Sequence, residues 1–423
     1  MIGAREAALL ALNDIFYNGK YSNLAVKETL AKCRGMQSNE KALFTNLVYG
    51  VVSRHYTLEF VLSKFSSVKV KKLARYLRLI LELGIYQIMF TDKIPDSAAV
   101  NESVKLAKKY CRKGSDRFIN GVLRAVSRAC KDIEYPQNIN ENLSVRYSYS
   151  PEMTDAFICL FGNGRAESIM RAMNEPPSLY LRANLLKIKP DEFCKKLSEL
   201  DIKSHLLPDG MICAKGFDVG KNELYLSGMF SVQDRGAYNA AIVLDPQENE
   251  TIIDMCAAPG GKTTHIAELM GDSGKIYACD IYEHKLKLID DSVKRLGIQS
   301  VKTVLSDSTQ PNADFFGVAD RVLCDVPCSG WGIIRRKPDI KLSHTNLNEL
   351  YQIQLSILKN ASLYVKKDGC IVYSTCTFNR RENEDIINNF LKENNNFEKV
   401  YEKTFYPDVD DTDGFFICRL NRK

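Results

Sequence analysis

Apolar positions along the first 135 residues recur at helical spacing. Ala4, Ala7, Ala8, Ala11 and Ile15 mark one stripe. Leu43, Leu47, Val48 and Val51 mark a second. Val100, Val104, Ala107 and Cys111 mark a third, behind a helix start at Pro95-Asp96-Ser97, and Phe118, Val122 and Val126 continue the pattern. Residues Pro136 to Asn142 are polar and without period, which reads as a linker. Beyond it the pattern loosens. A helix over Met153–Phe161, a strand near Leu179–Arg182, a helix carrying Phe193, Leu197 and Leu200, and short strands ending at Met229–Val232 predict a small α+β unit. From residue 250 short β-rich runs alternate with helical segments: Thr251–Met255, Lys275–Asp280, Val301–Ser306, Arg321–Asp325 and Cys370–Thr375. That alternation predicts βαβ units on a mostly parallel sheet, with Phe415–Cys418 as one more strand. The chain is therefore expected to be multidomain: all-α over 1–140, a linker and small α+β region over 141–232, and α/β over 233–423.

Composition adds exclusions. The 423 residues are 45% hydrophobic and 26% charged, which is ordinary for globular protein and long enough for several domains. Thirteen cysteines are spread along the chain and none forms a CxxC pair, which argues against a zinc ribbon or a secreted disulfide framework. A reducing, cytoplasmic compartment is expected. The apolar run Ala7–Leu12 is too short for a secretory signal, and no run is long enough to span a bilayer. Charge is uneven. Residues 1–140 hold 23 Lys and Arg against 12 Asp and Glu, and the remainder holds 35 against 40. A basic first third on a near-neutral body points to an anionic macromolecule docking there. Two crowded clusters are candidates: Lys69, Lys71, Lys72, Arg75 and Arg78, then Lys105, Lys108, Lys109, Arg112 and Lys113. The bland alternative is a set of solvated helix faces.

The chemistry concentrates at predicted strand ends. Asp254-Met255-Cys256-Ala257-Ala258-Pro259-Gly260-Gly261-Lys262 follows a strand and opens a helix. Small residues there let backbone approach a ligand, and a helix N-terminus favours negative charge. The turn is neither GxGxxG nor a Walker sequence. The next strand ends at Asp280, placed to take ribose hydroxyls, and the third is followed by Asp307, placed to meet an adenine edge. These features predict an adenosine-containing ligand across the carboxyl ends of the strands. Two cysteines leave later strand ends: Cys328, after Asp325-Val-Pro, and Cys376, after Ser374-Thr. An unperturbed thiol, with a pKa near about 8.5, is mostly protonated at neutral pH. The run Arg335, Arg336 and Lys337 is expected to supply positive charge that lowers it. A zinc site using both cysteines is the rival, and no histidine lies near enough in sequence to favour it.

Together the Cys-Ala-Ala-Pro-Gly-Gly-Lys run, the Pro-Cys motif and the Thr-Cys motif resemble those of S-adenosylmethionine-dependent RNA cytosine-5 methyltransferases. Residues 92–104 and 118–124 resemble a NusB-type RNA-binding domain. The fusion of the two, with the run from Arg335 to Lys341, is similar to the bacterial 16S ribosomal RNA enzymes of that family. The resemblance implies a NusB-like helical domain, a small RRM-like middle region and a Rossmann-like catalytic domain. It implies methyl transfer to C5 of a cytosine, cytosine 967 of 16S ribosomal RNA, with Cys376 as the nucleophile and Cys328 assisting product release. Asp325 would hydrogen-bond the cytosine and lie beside the methyl donor. Cys256, Ala257, Ala258, Pro259, Gly260 and Gly261 would line the methionine part of S-adenosylmethionine, and Lys262 would orient groups at the site. Asp280 would take the ribose and Asp307 the adenine region. The implied partner is 16S ribosomal RNA, free or in early assembly, bound by a cytoplasmic monomer with no metal, membrane or protein partner. A transfer RNA substrate and a catalytically silent assembly factor are the alternatives. A nucleotide-dependent dehydrogenase would want the missing GxGxxG.

Overall fold

The computed structural model describes residues 2–33, 35–343 and 345–423. The chain forms two compact units: Met1–Asn174 with Ile334–Ser343, and Glu175–Ile333 with His344–Lys423.

The first unit is helical. Helices Ala4–Asn18, Ser22–Lys32, Ser38–Phe65, Arg75–Phe90, Asp96–Tyr110 and Ser115–Ala129 bury the expected stripes, with Ala7, Ala8, Leu47, Val51 and Val126 fully enclosed. Leu43, Val104, Cys111 and Phe118 lie half-buried at the edge of this core. The unit runs past the boundary expected at 140, through helices Ile139–Tyr147, Pro151–Phe161 and Asn163–Ala172. The polar stretch read as a linker contains a helix start. The Asn138 side chain accepts from the backbone N–H groups of Asn140 (3.0 Å) and Glu141 (3.2 Å).

The basic clusters divide by partner. Lys69, Lys71, Lys72 and Arg75 are exposed. Arg78 instead turns inward to Glu82 (2.7 Å). Burial alone would raise the Glu82 carboxyl, but His55 and Arg78 outweigh it and hold the group below the usual carboxylate range. Lys105 and Lys109 are paired with Glu102 and Glu6.

Residues 334–343 also belong to this unit. Asp339 accepts from the backbone N–H and the hydroxyl of Ser22 at the start of its helix (2.8 and 2.5 Å). Lys341 is buried. Its Nζ donates to Ser53 O, Tyr147 O and Asn174 Oδ1 (3.1, 3.1 and 2.6 Å) and lies 4.2 Å from the centre of the Tyr149 ring.

The second unit holds two sheets. Strands β1 (Leu179–Ala183), β2 (Lys203–Leu206), β3 (Ile212–Lys215) and β4 (Phe230–Val232) form an antiparallel sheet in the order β2-β3-β1-β4. Alternation along β1 sends Leu181 into a core with Phe193, Leu197, Ile212 and Phe230. Tyr180 and Arg182 take the opposite face. An RRM-type domain stacks bases on its open sheet. In this chain that face is closed, because Arg182 is buried against Glu268 and Tyr180 packs with Tyr238.

The larger sheet uses β5 (Thr251–Asp254), β6 (Lys275–Asp280), β7 (Val301–Leu305), β8 (Ala319–Asp325), β9 (Val365–Thr375), β10 (Phe397–Phe405) and β11 (Phe415–Arg422), ordered β10-β11-β9-β8-β5-β6-β7. Strands β5 to β9 are mutually parallel, and β11 and β10 add antiparallel to β9. β10 is the strand that periodicity missed. It is an edge strand studded with Glu and Lys, so it carries little apolar signal. The strand order reverses between β5 and β8, which opens a crevice at their carboxyl ends.

Candidate active site

Every chemistry-bearing residue singled out on the sheet lies at that end. Asp280 closes β6, Asp307 follows β7, Asp325 closes β8 and Cys376 follows β9, and they are joined there by Asp254, which closes β5. Parallel strands share one direction, so consecutive strand ends become neighbours however far apart they are in sequence.

The turn after β5 walls a cavity of about 210 Å³, to which Cys256, Ala257, Ala258, Pro259, Gly261, Lys262 and Asp325 all contribute. Gly260, Asp280 and Asp307 lie outside its lining. Gly260 has φ +99°, and a Cβ there would meet the Ile289 backbone at 3.3 Å, so the turn needs glycine to reach helix Gly261–Leu269. Asp280 accepts from the Tyr282 N–H (3.0 Å), and Asp307 from the N–H and hydroxyl of Thr309 (2.9 and 2.7 Å), in each case through Oδ1.

Four lining residues were given no role by sequence reasoning: Gln233, Asp234, Ala237 and Asp254. Asp254 is buried, with Oδ2 accepting from Thr263 Oγ1 (2.7 Å) and Oδ1 unpartnered. Burial, with the nearby Asp325 charge, pushes its carboxyl up to about 7. Its signal was a carboxylate at a strand end, two residues ahead of the motif. Gln233 and Asp234 also line the cavity. Asp234 caps helix Arg235–Leu244, and that Asx signal alone could have drawn attention to it.

The second half of the site is a corner built by the Pro-Cys and Thr-Cys segments. Cys328 Sγ and Cys376 Sγ are 3.2 Å apart. The hydrogen bond to Cys376, then burial, pushes the Cys328 thiol well above its usual range, and either sulfur can be the donor in that contact. This corrects the expectation that Arg335, Arg336 and Lys337 would lower that thiol. Those residues belong to the helical unit, where Arg336 and Lys337 are exposed. The cation that the fold brings to the site is Lys262, 2.6 Å from Asp325 Oδ2. Burial works against the Lys262 charge, but Asp325 outweighs it and Cys376 adds to it, holding the ammonium above its usual range. Ser374 donates to the other Asp325 oxygen (2.8 Å).

The corner is braced by Glu382, a residue whose setting in an Arg-Arg-Glu run hid it among apparently solvated charges. It is buried and accepts four bonds: from Ser329 N (2.8 Å), Ser329 Oγ (2.6 Å), Gln354 Nε2 (3.1 Å) and Asn379 Nδ2 (3.0 Å). Gly332 N–H donates to Cys376 O (2.9 Å), and a Cβ on Gly332 would lie 1.8 Å from Gly414 O, so backbone alone fits there. Among the described residues, no group of three or more His, Cys, Asp and Glu side chains is placed to hold a metal ion, and no helix is long and apolar enough to cross a membrane.

The cavity suits S-adenosylmethionine. A buried carboxyl oxygen lacks a partner, a small-residue turn ends on a helix N-terminus, and Asp280 closes the neighbouring strand. Comparison with known proteins agrees. A sequence-family model described as 16S rRNA methyltransferase RsmB/F matches residues 241–421, one for the NusB family matches 3–128, and a ferredoxin-like domain of RsmF/B-like methyltransferases matches 153–220. The chain is 35% identical to the probable ribosomal RNA small subunit methyltransferase B of Bacillus subtilis, covering 99% of this chain and 98% of that one. It is 37% identical to the corresponding probable methyltransferase of Synechocystis over the whole of both chains. Among solved structures, that of PH0851 aligns over 100% of this chain and 99% of its own, at 26% identity and a TM-score of 0.83. A methyltransferase homolog from Pyrococcus horikoshii aligns over 68% of this chain and 100% of its own, at 28% identity and a TM-score of 0.61. Strand-end chemistry, a NusB-type helical region and relatives matched along their whole length converge: the chain is an S-adenosylmethionine-dependent RNA methyltransferase and belongs to the ribosomal RNA small subunit methyltransferase B family.

Proposed function

We propose that the protein methylates C5 of a cytosine in 16S ribosomal RNA, cytosine 967, through a covalent adduct between Cys376 and C6 of the base. The observation that carries this is the corner itself: two thiols 3.2 Å apart beside an aspartate that is paired with a half-buried lysine. C5 of cytosine is too weak a nucleophile to take a methyl group unaided. When bound, S-adenosylmethionine supplies a methyl made electrophilic by its sulfonium. Cys376 attacks C6 as the thiolate, forming the S–C6 bond and moving the ring electrons towards C5 and N3. Asp325 and Lys262 face the base at N3 and O2 and steady that charge. C5 then forms its bond to the methyl, whose bond to the donor sulfur would break with the electron pair left on that sulfur as a neutral thioether. Loss of the C5 proton to a base returns the electron pair to the ring and expels Cys376. Cys328, 3.2 Å from Cys376, assists that departure by donating its proton to the leaving sulfur.

Cys256 to Gly261 hold the methionine part of the donor, Asp280 the ribose and Asp307 the adenine region. The target base must leave its stack for C6 to reach Cys376. The exposed Lys69, Lys71, Lys72 and Arg75 provide phosphate contacts for ribosomal RNA.

The test offers unmodified 16S ribosomal RNA and transfer RNA with labelled S-adenosylmethionine and identifies the nucleosides by mass spectrometry. 5-Methylcytidine in the ribosomal RNA alone is the expected result. Label in transfer RNA, or no transfer with donor binding intact, overturns it.

A further inference from the structure

We propose that Arg182, on the closed face of the small sheet, is a positioning residue that turns the Gln233 amide so that its N–H side faces the donor cavity and binds the α-carboxylate of S-adenosylmethionine.

Arg182 is 2% exposed, and all of its donor positions are engaged. Nε and one terminal nitrogen clamp Glu268 (3.0 and 2.8 Å), and that second nitrogen also reaches Thr264 Oγ1 (3.1 Å). The other terminal nitrogen donates to Gly261 O (2.8 Å) and to Gln233 Oε1 (2.5 Å). A guanidinium only donates, so the Gln233 atom that it meets is the amide oxygen. The amide nitrogen in turn lies 3.4 Å from Gly261 O, which only accepts. Two independent neighbours therefore enforce the same orientation. It leaves Gln233 with donor capacity to offer, and Gln233 lines the cavity.

The cavity is polarised accordingly. Asp254 Oδ1, buried and unpartnered, suits a cation. Asp234 Oδ2 is committed to Gly236 N and Thr412 Oγ1 (2.8 and 2.5 Å). Lys262 spends one of its three N–H donors on Asp325 Oδ2. Gln233 and the helix start at Gly261 offer an anion further, neutral donors beside Lys262. The amino-acid end of the donor carries one of each charge, an ammonium for Asp254 and a carboxylate for Gln233.

The experiment needs no RNA, so its outcome is independent of the substrate reading. Calorimetry on the full chain compares S-adenosylmethionine with its decarboxylated analogue, which lacks only the carboxylate. Wild type should favour the carboxylated ligand by about tenfold or more, the value of a hydrogen bond to a charged group. Gln233→Glu keeps an acceptor for Arg182 but faces the ligand with like charge, and should erase or invert that preference. Arg182→Met should reduce the preference, and Arg182→Lys, which retains a donor, should restore part of it. An unchanged ratio in Gln233→Glu overturns the proposal. So does equal weakening of both ligands in Arg182→Met, which would make Arg182 a structural brace alone.

Discussion

The two halves of the site are each held by one buried charged residue with several hydrogen bonds, but the two braces are built differently. At the cysteine corner Glu382 accepts four bonds from Ser329, Gln354 and Asn379, all neighbours around the large sheet. At the donor turn Arg182 reaches in from the small sheet, carries its own counter-ion in Glu268, and fixes a backbone carbonyl and an amide. In the proposed mechanism the corner holds the sulfur atoms at a set separation for bond making. The turn holds backbone around a ligand that must enter and leave. The difference teaches that the small sheet serves the donor side: its closed face supplies an arginine where an RRM-type module would present bases with aromatic rings.

Substitutions can break that division, and the largest effect is expected at the corner. Cys376→Ala should abolish methyl transfer while S-adenosylmethionine affinity stays within about threefold. Lost donor binding in calorimetry would contradict the separation of the two halves. Cys328→Ala should retain adduct formation and slow release, so that a covalent protein–RNA species survives on a denaturing gel. Absence of that species with a good substrate would remove the release role.

Glu382→Ala leaves buried donors on Ser329, Gln354 and Asn379 without an acceptor, at a cost of roughly 2–4 kcal/mol. It should lower turnover and the unfolding midpoint without moving donor affinity. A matching loss of donor affinity would merge the halves. The smallest expected effect sharpens the donor side. The Asp254 carboxyl, held at about 7, keeps a proton that an unfolded chain releases near about pH 4. The folded state therefore binds more protons across that window, and stability should fall as pH rises through it. Asp254→Asn should flatten this part of the curve of melting temperature against pH. An unaltered slope would show that Asp254 titrates normally.

Much of this was legible in the sequence for identifiable reasons. Apolar stripes such as Ala4–Ala7–Ala11 and Val100–Ala107 report the helical core because burial imposes the period. The turn from Cys256 to Lys262 was legible because backbone geometry there demands small residues. Strand ends announced Asp280 and Asp325 because chemistry collects where parallel strands stop. Elsewhere the signal was absent or misleading. Arg182 reads as a stray charge in an apolar strand. Glu382 reads as one of a charged run. The Arg335–Lys341 run promised charge beside Cys328, yet it packs in the helical unit, with Lys341 buried there.

The sequence by itself determined the class of each region and picked out the candidate reacting groups, because periodicity and motif spacing are local properties of the chain. Only the tertiary structure decided which cation meets Asp325, which two thiols touch, and which carboxylate and guanidinium brace the two halves. Those choices depend on burial and on partners far away in sequence: 63 residues separate Lys262 from Asp325, 48 separate Cys328 from Cys376, and 86 separate Arg182 from Glu268. Desolvation makes such groups demand a partner, and the fold alone determines which partner is within reach.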